Sequence, residues 1–206
     1  METRKDLTVV YYTSNREDEQ FEQKIRARIW EAKAGLPLVS VSQKPIMFGH
    51  NVCVGDIGTG EAQICKQICI GCEVALTPWV IFCEADTLYP PEYFMYTPDD
   101  MNKRYWFEGV YIFKPGHPAF YNKGRSDVAH MAGREYILKL LHRGMDEHLK
   151  SFYGNSPRPT RIDLTIPVVS VKTGWGMRSN TQTNEIPTPE LPYWGTAQNL
   201  KKELGL

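Results

Sequence analysis

The apolar positions fall into short runs and helical stripes that take turns along the chain. LTVVYY, Leu7 to Tyr12, is a continuous run of strand length, and Thr13-Ser14-Asn15 follows it with turn or N-cap chemistry. From Glu17 to Ala34 the polar background is broken by Phe21, Ile25 and Ile29, spaced four apart, which is one face of an amphipathic helix. Gly35 stands where glycine favours ending a helix. Leu36 to Ser42 reads as a second strand, so the chain opens β-α-β and predicts a layered α/β sheet. A glycine-bearing loop leads to a helix over Glu61 to Leu76 and a strand over Trp79 to Cys83. Tyr105 to Phe113 reads as one further strand, Ser126 to Lys150 as a helix with Ile137, Leu138 and Leu141 on its apolar face, and Pro157 to Val171 as strand material. The tail from Lys172 is rich in Gly, Thr, Asn and Pro and reads mostly as loop.

Composition narrows this picture. The 206 residues suit one domain with its own core. Lys+Arg 24 balance Asp+Glu 24, so no whole-molecule field steers the chain to nucleic acid or an acidic membrane. No apolar run approaches the ~20 residues of a membrane span, and the N-terminus carries no signal-peptide pattern. A cytoplasmic protein with five free thiols is expected.

Three of those cysteines, Cys65-x3-Cys69-x2-Cys72, have the spacing of an iron–sulfur motif found in radical enzymes. They also fall, with Ile68 and Leu76, at i, i+3, i+4, i+7 and i+11, the buried stripe of a helix. Gly71 stands where those enzymes usually carry an aromatic, and two strands and a helix come first rather than a cluster loop. The stripe is therefore the favoured reading, because buried cysteine packs as a small hydrophobe.

The strand over Trp79 to Cys83 ends in Glu84-Ala85-Asp86. In open α/β sheets ligands bind beyond the carboxyl ends of strands. Residues i and i+2 of an extended segment point the same way, so both carboxylates can face one point and suit a hard divalent ion that keeps waters for a phosphate. Two turn acids at a strand end are the plainer alternative.

The wording around this triplet is more specific. GEAQICKQICIGCEVA followed by PWVIFCEADTLYPPEYF resembles small family-two-like glycosyltransferases of the GT-A fold, common in bacterial and phage genomes. RSDVAHMAGREYILKLL, PVVSVKTG and LPYWG resemble later segments of the same group. The resemblance implies a GT-A-like (Rossmann-like) mixed, mostly parallel sheet flanked by helices in a single domain. Residues 1–95 would form the nucleotide-sugar half, 96–171 the acceptor half and 172–206 a lid or tail.

It further implies transfer, inverting in outcome, of a hexosyl or pentosyl group from a nucleotide-diphosphate sugar such as a UDP-sugar to a hydroxyl. Glycans, small molecules and a hydroxymethylated base in phage DNA are the acceptor candidates. Asp86 would be the direct ligand of Mn2+ or Mg2+. Glu84 would be a second ligand or a contact to ribose or sugar. Thr13, Ser14 and Asn15 would lie at the nucleotide, with Lys66 and Gln67 reaching it from the second helix; a helix cap and a solvated face are the plain alternatives. The base would be Glu135, with Asp127 as rival, although Glu135 beside Arg134 also reads as an ordinary ion pair. The aromatics Tyr89, Tyr93, Phe94, Tyr96, Tyr105, Trp106 and Phe107 would offer a stacking surface to a sugar or a base, unless they are core.

The chain departs from that family at its closing strand. Val171-Lys172-Thr173-Gly174 stands where a His-Gly pair usually supplies a metal ligand. Lys172 would place a positive charge on the diphosphate and make the cation weakly needed or dispensable. His130, His142 or His148 would replace the missing ligand only if the fold brought them close. Arg178 and Trp175 would close over the nucleotide. A lapsed, non-catalytic sugar-nucleotide or glycan-binding module and a nucleotidyltransferase are the rival readings; the second lacks its expected glycine-rich loop near the N-terminus.

Overall fold

In the computed structural model the described residues are 5–124, 126–146, 158–174 and 186–206. The chain begins with β1 (Leu7–Thr13), α1 (Glu19–Ala32), β2 (Leu38–Ser42), β3 (His50–Cys53), α2 (Glu61–Val74) and β4 (Trp79–Glu84). Then come β5 (Thr87–Leu88), α3 (Pro91–Met95), β6 (Arg104–Phe107), β7 (Val110–Phe113), β8 (Phe120–Gly124), β9 (His130–Gly133) and α4 (Arg134–Asp146). The remainder holds β10 (Thr160–Ile162), β11 (Val168–Val171), β12 (Pro187–Thr188), β13 (Glu190–Leu191), β14 (Gly195–Thr196) and α5 (Ala197–Leu204).

The main sheet has seven strands in the order β10-β6-β9-β4-β1-β2-β3. Neighbours among β1 to β4 run parallel, whereas β9 runs antiparallel to both β4 and β6. Strands β1 and β4 lie at the centre and are covered on both faces, which is why they read as unbroken apolar runs. Their side chains alternate between two layers. Val9, Tyr11, Ile81 and Cys83 pack with Phe21, Ile25 and Ile29 of α1. Val10, Tyr12, Val80 and Phe82 pack with Cys65, Ile68, Cys69 and Cys72 of α2 and with Ile137 and Leu141 of α4. Each fully buried Ile or Phe contributes roughly 1.5–3 kcal/mol.

A second sheet, in the order β12-β8-β7-β11-β5, shares the α1-side core through Val110, Phe113, Phe120, Val168 and Val171. Strands β6, β9 and β10 complete the sheet begun by residues 1–95, so the two halves expected from the sequence interleave. Among the described residues no helix is long and apolar enough to cross a membrane.

Four local expectations change. The strand over Tyr105 to Phe113 is two strands in different sheets, because Gly109 adopts φ +76 between them. The helix expected from Ser126 begins only at Arg134; residues 130–133 are spent first as β9, wedged between β4 and β6. Helix α1 is capped by Asp18, whose side chain accepts from Phe21 N, and not by the Thr13–Asn15 turn. The tail contains α5, capped by Thr196 and ended by Gly205 in the left-handed region, with Ala197, Leu200 and Leu204 buried.

The cysteine stripe is core as far as Cys72, but Leu76, expected on it, lies beyond the end of α2 and is exposed. Cys65, Cys69, Cys72 and Cys83 are buried and Cys53 is exposed. Gly71, standing where the radical enzymes carry an aromatic, lets α2 approach β1: a Cβ there would run into Val10 Cγ1.

Two outcomes follow from this packing. Gly71→Ala is expected to destabilise the protein by about 1–3 kcal/mol in urea unfolding, as overpacking does. Burial pushes the thiols of Cys65 and Cys69 up to about 12, which removes nearly all thiolate at neutral pH. A thiol-reactive dye at pH 7 is therefore expected to modify Cys53 in the native protein and the other four only after unfolding.

Candidate active site at the junction of two sheets

Glu84 is the last residue of β4, and Thr87 is the first of β5. The triplet is thus the corner at which the chain leaves the main sheet and enters the second one. Strand β5 pairs antiparallel with β11, placing Ser170 opposite Thr87, and Val171 N–H donates to Asp86 O at 2.7 Å. That register delivers Lys172, the residue after β11, to the side of Asp86. Lys172 Nζ donates to Asp86 Oδ2 at 3.2 Å, and Thr87 Oγ1 donates to Oδ1 at 3.0 Å. The pair is enclosed, with side chains 6% and 3% exposed.

Glu84 lies directly opposite Tyr12 in the parallel register, and the Tyr12 hydroxyl donates to Glu84 Oε1 at 2.7 Å. Burial, then the charge of Asp86, pushes the Glu84 carboxyl up to about 7, against the pull of Lys172 and Tyr12. Its backbone N–H donates to the Tyr89 hydroxyl at 2.9 Å, and that hydroxyl donates to Val128 O at 2.7 Å. Tyr89 thereby ties the acidic corner to the turn that carries Asp127. Asp127 is exposed at the entry to β9, and its charge acts on Glu84.

Two residues that the sequence did not single out join the cluster. Glu17 Oε2 accepts from the Thr173 hydroxyl at 2.6 Å, while Oε1 is buried without a hydrogen-bond partner. Burial raises the Glu17 carboxyl despite the Thr173 bond, and the charge of Asp86 adds to the rise. Lys123 donates to Ser126 Oγ at 2.7 Å. Burial lowers its ammonium, Lys172 adds to that effect, and Glu84, Asp127 and Asp86 oppose it. Glu17 follows Asn15 by two positions in the loop after β1, a signal that was legible. Lys123 sits on β8, and nothing in its local sequence marks it.

The other candidates divide by place. Asn15 takes the left-handed conformation at φ 52, and its Oδ1 accepts from Gln43 N at 2.9 Å and Lys44 N at 2.8 Å. Thr13 Oγ1 accepts from Asn15 N at 2.9 Å, and Ser14 is half-buried beside them. Gln67 does not reach for a ligand: it is buried, and its amide donates to Thr13 O and Val41 O at 2.8 and 3.1 Å, tying the ends of β1 and β2 together. Lys66, one residue earlier on α2, is exposed.

Glu135 lies at the opposite edge of the sheet from the acid triplet. Trp79, the first residue of β4, pairs with Gly133, so α4 starts about 16 Å, five strand steps, from Glu84. There Glu135 pairs with Arg134 on the surface. Asp127, at the other end of antiparallel β9, is on the side of the acid triplet. Arg178, Trp175 and His148 lie outside the described residues. His130 is buried and stacks on Phe82 at 4.3 Å; burial lowers it to about 3. His142 meets Glu73 on the α2–α4 surface. Of the aromatics proposed for stacking, Tyr89, Tyr93, Phe94, Tyr105 and Phe107 are core. Exposed aromatic surface is instead offered by Trp30, 55% accessible, in a cleft of about 880 Å³ between α1 and the β2–β3 loop that reaches Asn15 and Glu17.

The donor set does not fit a divalent cation well. Among the described residues, the only three or more His, Cys, Asp or Glu groups whose ligand atoms lie within 4.8 Å of one another are Cys69, Glu73 and His142, far from the corner. Asp86 already holds an ammonium on Oδ2. Two unit charges of like sign 4 Å apart repel by about 4 kcal/mol at an effective dielectric of 20, and a dication doubles that.

No family model matches the sequence, and no curated protein matches it. The structure is similar to a solved glycosyltransferase involved in the glycosylation of the major capsid of PBCV-1, with TM-score 0.50 and 8% identity over 97% of this chain and 98% of that one. It is also similar to the glycosyltransferase GlyE of Streptococcus pneumoniae TIGR4, with TM-score 0.51 and 9% identity over 98% of this chain. The chain spans 61% of the length of GlyE. At such identities the likeness is one of fold, and the chain has the mixed α/β fold of these glycosyltransferases.

Proposed function

We propose that the protein is a glycosyltransferase that uses a nucleotide-diphosphate sugar, with a UDP-sugar as the leading donor. The observation that carries this reading is the cluster of Glu84, Asp86, Asp127, Lys123 and Lys172 at the carboxyl edge of the central parallel strands, in a fold shared with glycosyltransferases. The nucleoside half of the donor falls to the end of the cleft formed by Asn15, Glu17 and Lys44, which adjoins the corner. The diphosphate faces the Asp86–Lys172 pair. Glu84, held by Tyr12, takes a hydroxyl of the donor sugar or ribose.

In the transfer step the acceptor hydroxyl oxygen bonds to the anomeric carbon. The bond from that carbon to the diphosphate oxygen breaks, and its electron pair leaves with the nucleoside diphosphate. The hydroxyl proton passes to Asp127, which is exposed toward an arriving acceptor. A single displacement of this kind inverts the anomeric centre.

The acceptor is a hydroxyl compound. A hydroxymethylated DNA base draws less support than a glycan or small molecule, because most of the aromatics available for base stacking are core and the net charge is zero. A cytoplasmic site of action accords with the free thiols.

A panel of nucleotide sugars, assayed for hydrolysis and for transfer to simple glycosides, tests the reading. Turnover of at least one donor is expected. Binding without turnover on any acceptor would instead favour a lapsed transferase, and stabilisation by no nucleotide would sink the proposal. Asp127→Asn is expected to lower kcat by about 10²–10⁴ with the donor KM little changed. Glu135→Gln is expected to leave kcat at the parent level, and a reversal of these two results would return the base to α4.

A further inference from the structure

We infer that Lys172, seated on Asp86 and assisted by Lys123, takes the place of a divalent cation, so that the nucleoside diphosphate is bound and neutralised without metal. This rests on the glycosyltransferase reading above and specifies the charge that meets its leaving group.

Three observations carry it. The first is where the ammonium sits. Strand register fixes Lys172 beside Asp86: the β5–β11 ladder, the Val171–Asp86 backbone bond and a bond from Lys172 N–H to Phe113 O at 2.7 Å all hold its backbone. Its Nζ therefore rests on the carboxylate that a cation would need, in a pocket almost closed to water. The second is the state of the carboxylates. Each inner acid is already engaged by a protein donor: Asp86 by Lys172 and Thr87, Glu84 by Tyr12, and Glu17 by Thr173. They answer to different partners, and among the described residues no three acids of this cluster bring ligand oxygens within 4.8 Å of one another, whereas an oxygen cage for Mn2+ or Mg2+ needs its ligands around one centre. The third is the second cation. Lys123 stands within the electrostatic reach of Lys172, Glu84 and Asp86, on β8, and is half-buried.

The chemistry agrees. An ammonium carries three N–H donors, so an anchor on Asp86 is compatible with donation to a phosphate oxygen, and such charge-assisted bonds are among the strong ones. A preorganised positive group aimed at developing leaving-group charge stabilises the transition state without any rearrangement at the moment of bond breaking. Asp86 in this arrangement is a positioning residue: it holds Lys172 rather than a metal.

The test measures binding of UDP, GDP and inorganic pyrophosphate to the intact protein by calorimetry, once in EDTA and once in Mn2+. At least one nucleoside diphosphate is expected to bind in EDTA with a Kd within about threefold of its value in Mn2+. Lys172→Met is expected to weaken that binding by about tenfold or more, with Lys172→Arg recovering part of it. Because Lys172→Met leaves Asp86 buried without its partner, the paired variant K172M/D86N, which removes both charges, is measured alongside and checked for a cooperative melt. A folded double variant that keeps the parent affinity in EDTA would overturn the role of Lys172. A diphosphate that binds only with Mn2+, or Mn2+ that binds the protein alone and is lost in Asp86→Asn, would overturn the inference while leaving the glycosyltransferase reading in place. Failure of both nucleotides to bind in either buffer would remove that reading and this inference with it.

Discussion

A carboxylate taken out of water must be given a partner, and Asp86 is the place where this protein meets that demand. The residue lies at the corner between two sheets, nearly closed off from solvent. Its partner arrives from the far end of the chain because β11 enters the second sheet beside β5. The ion pair and the sheet pairing therefore specify one another. If β11 slipped by one residue, Lys172 would point to the opposite side and Asp86 would keep its Thr87 bond but lose its ion-pair partner. An ion pair of this kind is weak support for stability, since an apolar pair often serves as well. It is strong support for one register.

The rest of the cluster follows from strand direction. Parallel strands gather their carboxyl ends at one edge, so the loop after β1 brings Glu17 and the end of β4 brings Glu84. Antiparallel β9 reverses the logic: the turn before it, with Asp127, reaches that edge, and the helix after it, with Glu135, cannot. Gln67 completes the frame from α2 by bonding the backbone at the ends of β1 and β2. Its amide does for two strand ends what a ladder bond does within a sheet.

The sequence disclosed what local periodicity encodes. The β-α-β opening, the cysteine stripe of α2 and the acid triplet at the end of β4 are patterns of a few residues, and the structure keeps them. Places where tertiary pairing overrides local preference were less legible. His130 to Gly133 lack alternation and precede a strongly helical stretch, so their pairing with β4 and β6 left no local trace. The reach of Lys123 depends on a long-range register. Helix α5 had a signal, with Thr196 as cap, Ala197, Leu200 and Leu204 on one face and Gly205 as stop, but it was submerged in a tail of turn-forming residues. Glu135 was expected beside the acid triplet because a sequence tells which residues lie near a strand and not which end of it they occupy.

The hydroxyl of Tyr89 receives the backbone N–H of Glu84 and donates to the carbonyl of Val128, on a ring that is fully enclosed. A phenol is a rigid strut of fixed length. It sets the gap between the acidic corner and the turn that carries Asp127, and it does so through protein groups alone. A corner built this way has its geometry set when the chain folds. Any molecule that enters there meets a gap whose width is already decided.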